Sequence, residues 1–222
     1  MIRDALAVCR KDLRIEWVTR VTSLQVVPFA VVVIVLFGFA LGPDPTQLRP
    51  AAPGVFWLAV LFSSVLGVQR AMAIEAREGA IDGLRLANFD PAGIFLGKLL
   101  ALCGELVALE ILLALITAII FGVALASFGL LVAATIFATI GIVAVGLLYG
   151  ALLVGSRVRE TLLPLLFFPV VAPVLIAGTK TWQAALARHV SAGTNWLELL
   201  VVFSVIYLGI GIVSFGPLME DS

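Results

Sequence analysis

Apolar runs of about twenty residues alternate along the chain with short stretches where the charges gather. A membrane-spanning helix needs about 20 apolar residues, and six runs qualify: roughly 23–42, 54–73, 97–122, 128–154, 161–178 and 197–218. Only a few residues around Ser127 divide the third from the fourth, which predicts a tight hairpin; the fifth run is short. Residues 1–22 have a different period. Ile2, Leu6, Cys9, Leu13 and Trp17 follow the helical repeat, with Arg3, Arg10, Lys11 and Arg14 on or beside the polar face. That pattern predicts an amphipathic helix lying on the membrane, Trp17 at the headgroup level and the basic residues toward anionic lipid. A signal peptide also starts basic and turns apolar, but here the basic region is too long and no A-x-A site closes the run.

Composition agrees with the pattern. The 222 residues are 62% hydrophobic and 13% charged, where a soluble domain carries roughly 25% charge. The expectation is an all-α integral membrane protein of six transmembrane helices, with 1–222 as a single transmembrane domain. A net charge of zero offers no electrostatic case for nucleic acid. Cys9 and Cys103 form no CxxC or Cys/His cluster, so neither a disulfide framework nor a metal site is expected. No nucleophile–base constellation is present, and no catalytic site is expected. The string Gly93 to Leu99 superficially resembles a phosphate loop, but its spacing is one residue short, Ser/Thr is missing and no strand precedes it.

Six spans place both termini on one side, and basic residues choose which. Arg3, Arg10, Lys11, Arg14 and Arg20 precede the first span; Arg70, Arg77, Arg85 and Lys98 flank the second loop; Arg157 and Arg159 mark the fourth. Of the 14 Lys and Arg residues only Arg49, Lys180 and Arg188 fall on the other side. Both termini are therefore expected in the cytoplasm.

The longest polar interruption after the N-terminal segment is Glu75 to Lys98. As a helix, its first part puts Ala76, Ala80, Ile81, Leu84 and Ala87 on one face, while Arg77, Glu78, Asp82 and Arg85 fall largely elsewhere. Asn88 and Asp90-Pro91 break it. The stretch reads either as a solvated loop or as a docking element for another protein. Within the third span, Glu105 and Glu110 are costly in hydrocarbon and must face protein or water. Five residues apart, they point about 140° from each other, so they are not a paired dyad. Each reads as a polar contact in a substrate path or as a hydrogen-bonded helix contact. Span four is rich in small residues, and its Gly146/Gly150 pair reads as packing within the chain rather than a dimer seam. Pro164, Pro169 and Pro173 in span five predict a bent or re-entrant, mobile segment. Thr179–Asn195 is expected to lie flat on the outer leaflet, with Trp182, Ala185, Leu186 and His189 on one face and Trp182 and Trp196 in an aromatic belt. His189 is the only histidine; a ligand to a bound group and an ordinary polar contact are both open readings.

Glu75, Gly79, Ala80, Ile81, Asp82 and Leu84, then Pro91 and Gly97-Lys98-Leu99-Leu100, resemble the segment joining the second and third spans of type-2 ABC exporter permeases. The resemblance implies a cytoplasmic coupling helix over 75–90 that docks on a separate ABC ATPase subunit. Glu75, Arg77, Gly79, Ile81, Asp82, Leu84 and Arg85 would then carry the coupling, and the N-terminal helix would help form the socket. A proline-rich fifth span, six spans and a chain near 220 residues look like the haem exporter B family, the permease subunits of the ABC complex in cytochrome c maturation. That resemblance implies ATP bound by the partner chain, haem as a possible substrate and no cofactor held by this chain. It further implies a homodimer of permeases, a haem-handling membrane subunit, a small membrane subunit and a place in the bacterial inner membrane. Two alternatives stay open: a non-transporting component that uses the ATPase to remodel a haem–chaperone complex, or an exporter of lipid, polymer or drug. A secondary transporter is less favoured, since no inverted repeat is evident.

Overall fold

The computed structural model describes residues 1–20, 22–78, 90–153, 156 and 158–220. Among them the chain is all helix and turn: α1 (Ile2–Thr19), a π-helical turn (Thr22–Val26), α2 (Val27–Ala40), α3 (Pro45–Glu78), α4 (Pro91–Phe121), α5 (Phe128–Leu152), α6 (Arg159–Leu186) and α7 (Val190–Glu220). This is the expected all-α membrane architecture. Five helices, α3 to α7, are long and apolar enough to cross a bilayer by themselves. The first expected span is the weak one, because α2 has only 14 residues. A sixth crossing exists only if α1 and the helix 24–40, which meet at 56°, count as one bent span.

Prolines and acids set several boundaries. Asp90 accepts a hydrogen bond from the Ala92 N–H at 3.2 Å and Pro91 takes the first helical position, the arrangement a missing N–H favours. Asp44 does the same for α3, accepting from the Thr46 N–H at 2.9 Å. Consequently α3 starts at Pro45 and runs through Pro50 and Pro53, ahead of the expected span 54–73. Gly122 and Ser127 take left-handed backbone (φ 60° and 47°) and close the α4–α5 hairpin, as expected.

The proline-rich segment is a correction. It is neither re-entrant nor ended near 178: α6 is one helix of 28 residues containing all three prolines. Pro164 lacks the N–H that would pair with the Glu160 carbonyl, and Gln69 of α3 donates its side-chain N–H to that carbonyl instead, at 3.0 Å. Nor does Thr179–Asn195 form a separate surface helix. Most of it belongs to α6 and α7, and Trp182 is buried, stacked on Phe56 of α3 with ring centroids 3.9 Å apart. Trp196 is partly exposed, and His189 lies exposed in the turn between the two helices.

The centre of the bundle is α3 and α5: 67% of the most apolar window of each is buried, against 22% for α7. Small residues allow the close packing. A Cβ at Gly146 would stand 2.6 Å from Val68 Cγ2, and one at Gly150 would stand 2.6 Å from Met72 Cγ. This pair therefore seats α5 on α3 within one chain. At one end of the bundle lie both termini, with the Met1 ammonium 3.6 Å from Asp90 and Gly216 packed on Pro91. At the other end, Arg49, the Gly122 turn and Ala187, next to Arg188, surround one cavity. Arg3, two residues from Met1, thus lies at the opposite end from Arg49 and Arg188.

At the seam between α1 and α4, backbone lies against backbone. A Cβ at Gly97 would stand 2.6 Å from the Ala5 carbonyl oxygen, and one at Gly93 would stand 2.9 Å from that of Met1. Gly97→Val should therefore force α1 off its seat, at about the 1–3 kcal/mol that overpacking costs. Gly104→Ala, with nothing within 4 Å of its added Cβ, should stay within about 0.5 kcal/mol of the parent. Thermal unfolding of both variants in detergent, with tryptic cleavage of α1 as the local readout, checks this.

Candidate functional site

The polar chemistry of the chain gathers where α1 crosses the bundle. Helical period sorts the charges of α1: Asp12 and Glu16, one turn apart, turn toward α3 and α4, while Ile2, Leu6, Leu13 and Trp17 form an exposed apolar stripe. Lys98, only 3% exposed, donates to Asp12 at 3.3 Å. Arg70 pairs with Glu16 and donates to the Thr19 hydroxyl at 2.5 Å. The Met1 ammonium donates to Asp4 at 3.2 Å and, by that bond, holds the Asp4 carboxyl below its usual range.

Arg70 stands near the end of α3 and Lys98 in the second turn of α4, so α1 is bonded to both helices that flank 79–89. That placement matters for the expected coupling helix. Glu75 and Arg77 lie on the backbone of the last turns of α3, which is helical without a break to Glu78. Gly79, Ile81, Asp82, Leu84 and Arg85 lie outside the described residues, as do the side chains of Glu75 and Arg77. What the structure places is the frame: α3 delivers the segment, α4 receives it, and α1 braces both.

The two acids of α4 sit in unlike surroundings. Glu105 is partly exposed and lines the space between α1 and α4 beside Arg70 and Lys98. Glu110 is 1% exposed, and Thr139 of α5 reaches both its oxygens, at 2.8 and 2.9 Å. The same hydroxyl lies 2.8 Å from the Thr135 carbonyl, so one proton serves three acceptor oxygens. Glu110 is thus a hydrogen-bonded contact between two helices of this chain. Pro164 is half-buried, and Pro169 and Pro173 face outward from α6. No group of three or more His, Cys, Asp and Glu suited to a metal exists among the described residues. The Gly93/Gly97 pair escaped the sequence reading, although its signal, two glycines four apart on one helix face, is the same as at Gly146/Gly150.

A family described as "CcmB protein" matches residues 3–217. The chain belongs to the CcmB protein family. Proteins called "Heme exporter protein B" are similar to it: that of Haemophilus influenzae is 30% identical over 180 residues, 81% of each chain. Those of Paracoccus denitrificans, 31% identical over 184 residues (81% of this chain, 80% of that one), and Pseudomonas aeruginosa, 28% over 178 residues (80% of each), are comparable. The family match runs from α1 to α7, so the brace and the bundle both lie inside this CcmB domain.

Two measurements test the polar frame of this CcmB-family chain. Asp12→Asn should weaken the seat of buried Lys98 and lower stability by on the order of 2 kcal/mol, below the fully buried case because Asp12 keeps some exposure. A double-mutant cycle with Lys98→Met should then show coupling above about 1 kcal/mol. Thr139→Val should cost about 1–3 kcal/mol by stripping Glu110 of its donor, while Thr139→Ser should retain most of that; unfolding in detergent micelles reads both.

Proposed function

We propose that this chain is the permease subunit of a haem exporter complex in c-type cytochrome maturation, driven by a separate ABC ATPase. The single observation carrying the reading is the family match over nearly the whole chain, with relatives called heme exporter protein B. The frame around 79–89 supports the coupling half of it. An ATPase that engaged this segment would push on the ends of α3 and α4 together, and α1, tied to Arg70 and Lys98, would move with them. In this reading ATP closure becomes a rigid-body shift of packed helices, Glu75–Leu84 carry the contact, and two copies of the permease pair with two ATPase chains. The complex sits in the bacterial inner membrane with both termini cytoplasmic, beside a haem-handling and a small membrane subunit. Haem is the substrate, and no cofactor resides in this chain.

Deleting the gene and staining membrane proteins for covalent haem tests the reading. Selective loss of c-type cytochromes, restored by the parent chain and not by Leu84→Asp, is the expected outcome, with the Leu84→Asp chain present in the membrane but no longer co-purifying with the ATPase. Normal c-type cytochromes in a host with no second maturation system would overturn the assignment. Full rescue by Leu84→Asp would overturn the coupling site alone.

A further inference from the structure

An apolar groove of about 390 Å³ opens where α1 meets α4, α5 and α7, on the side of α1 away from Glu16 and Arg70. Ile2 and Leu6 of α1, Leu96 and Val107 of α4, Ile136 of α5 and Leu208 of α7 line it. Thr139 also lines it, with its hydroxyl engaged by Glu110. The level of the groove follows from two contacts. The carbonyls of Met1 and Ala5 lie against Gly93 and Gly97, so Ile2 and Leu6 stand beside the first two turns of α4. That end carries the Met1 ammonium with Asp4 and Asp90 around it, which marks it as the polar end of the helix. From Leu96 to Val107, α4 rises about 16 Å, close to one leaflet's half of a hydrocarbon core of about 30 Å. The groove therefore runs from the polar edge of one leaflet toward the midplane.

We propose that this groove holds one acyl chain of an anionic phospholipid, with the lipid phosphate between Arg3 and Arg10. The argument is charge complementarity together with depth. Residues three and four apart on a helix are surface neighbours, with Cβ atoms about 5–6 Å apart, so Leu6 in the lining has Arg3 on one side and Arg10 on the other. Both arginines are exposed, and among the described residues neither makes an ion pair or a side-chain hydrogen bond. The acids of α1 are taken up elsewhere. Asp4, whose carboxyl also feels the charge of Arg3, is bonded to the Met1 ammonium; Asp12 meets Lys98 and Glu16 meets Arg70. The rim thus offers two guanidinium groups, the pairing that a headgroup of net negative charge needs. A zwitterionic headgroup would bring its own ammonium toward the same two cations. The occupant is one lipid at a fixed place, in contact with four helices, and differs in this from the general attraction of a basic helix for a leaflet.

The test is photo-crosslinking of the chain, purified in its native assembly and placed in nanodiscs that contain phosphatidylglycerol with a diazirine in its acyl chain. Labelled peptides are mapped by mass spectrometry, with the exposed face of α7 (Val202, Ile206, Val213) as the bulk-lipid baseline. Labelling of 96–107 should exceed that baseline several-fold. Unlabelled phosphatidylglycerol should compete at least about fivefold better than phosphatidylcholine, the worth of one arginine near an anionic headgroup. The double variant Arg3→Gln/Arg10→Gln, on the exposed face of α1, should abolish that preference with assembly intact. Arg14→Gln, two turns beyond Leu6 on the same helix, should leave it unchanged. Val107→Trp, which fills the deep end, should return labelling to the baseline. Parent labelling no higher than on α7 would overturn the proposal and point to a protein partner over the groove. Equal competition by the two lipids would overturn it as well. So would an Arg14→Gln loss as large as that of the double variant, because the attraction would then belong to the whole helix.

Discussion

The rest of this end of the molecule depends on one close approach: the backbone of α1 against the glycine face of α4, with the buried Lys98 ammonium reaching Asp12 beside it. A cation so far out of water is tolerable only with its counter-charge in place, and Asp12 reaches it only because Gly93 and Gly97 let the helices touch at backbone distance. The two features need each other. A larger residue on α4 would move Asp12 away, and without the ion pair the seat of α1 would rest on the Arg70–Glu16 and Met1–Asp90 ties. The result turns an amphipathic helix that would otherwise float into a fixed part of the bundle, acids inward and Arg3, Arg10 and Arg14 outward.

Elsewhere the helices are held by packing, and polar groups act as single ties. Lipid tails are as apolar as leucine, so association inside the membrane rests on close contact and on hydrogen bonds of modest worth. The chain places one such tie at each of three seams. Glu110 to Thr139 joins α4 to α5, the Ser204 hydroxyl donates to the Phe137 carbonyl between α7 and α5, and Gln69 to the Glu160 carbonyl joins α3 to α6. The last serves the carbonyl freed by Pro164, the first of the three prolines in α6. Each proline frees a carbonyl four residues back, and hydrocarbon cannot satisfy it; a neighbouring glutamine at the interfacial end can. The expectation of a re-entrant segment treated the prolines as breaks because it had no view of Gln69, ninety-one residues earlier in the chain.

That case marks what was legible in the sequence and what was not. The five spans α3 to α7, the Ser127 hairpin and the exposed apolar stripe of α1 follow from local period, and the structure has each of them. Contacts between distant segments do not follow. Trp182 has the composition of an interfacial anchor, yet stacking on Phe56 and an edge contact with Trp57 of α3 bury it. Gly93 and Gly97 are the same signal as Gly146 and Gly150, but α1 carries no apolar run long enough to be read as a packing partner. Around 75–90 the sequence pattern carries the coupling role through its resemblance, while the described residues supply the braced ends of α3 and α4.

The pair Glu105 and Glu110 shows how little separation divides two roles on one helix. Five residues turn the chain by about 140°, enough to send Glu110 into the seam with α5 and Glu105 into the space beside α1. Burial then decides what each can do. Glu110, closed in by Thr139, acts as a helix tie, and a substrate path would have to break the α4–α5 seam to reach it. Glu105 stands with Arg70, Lys98 and Asp12 around the same small space, at the end of the bundle where 79–89 joins α3 to α4. Glu105 therefore shares its surroundings with the two cations that tie α1 to α3 and α4, and Glu110 is closed off from them by the α4–α5 seam.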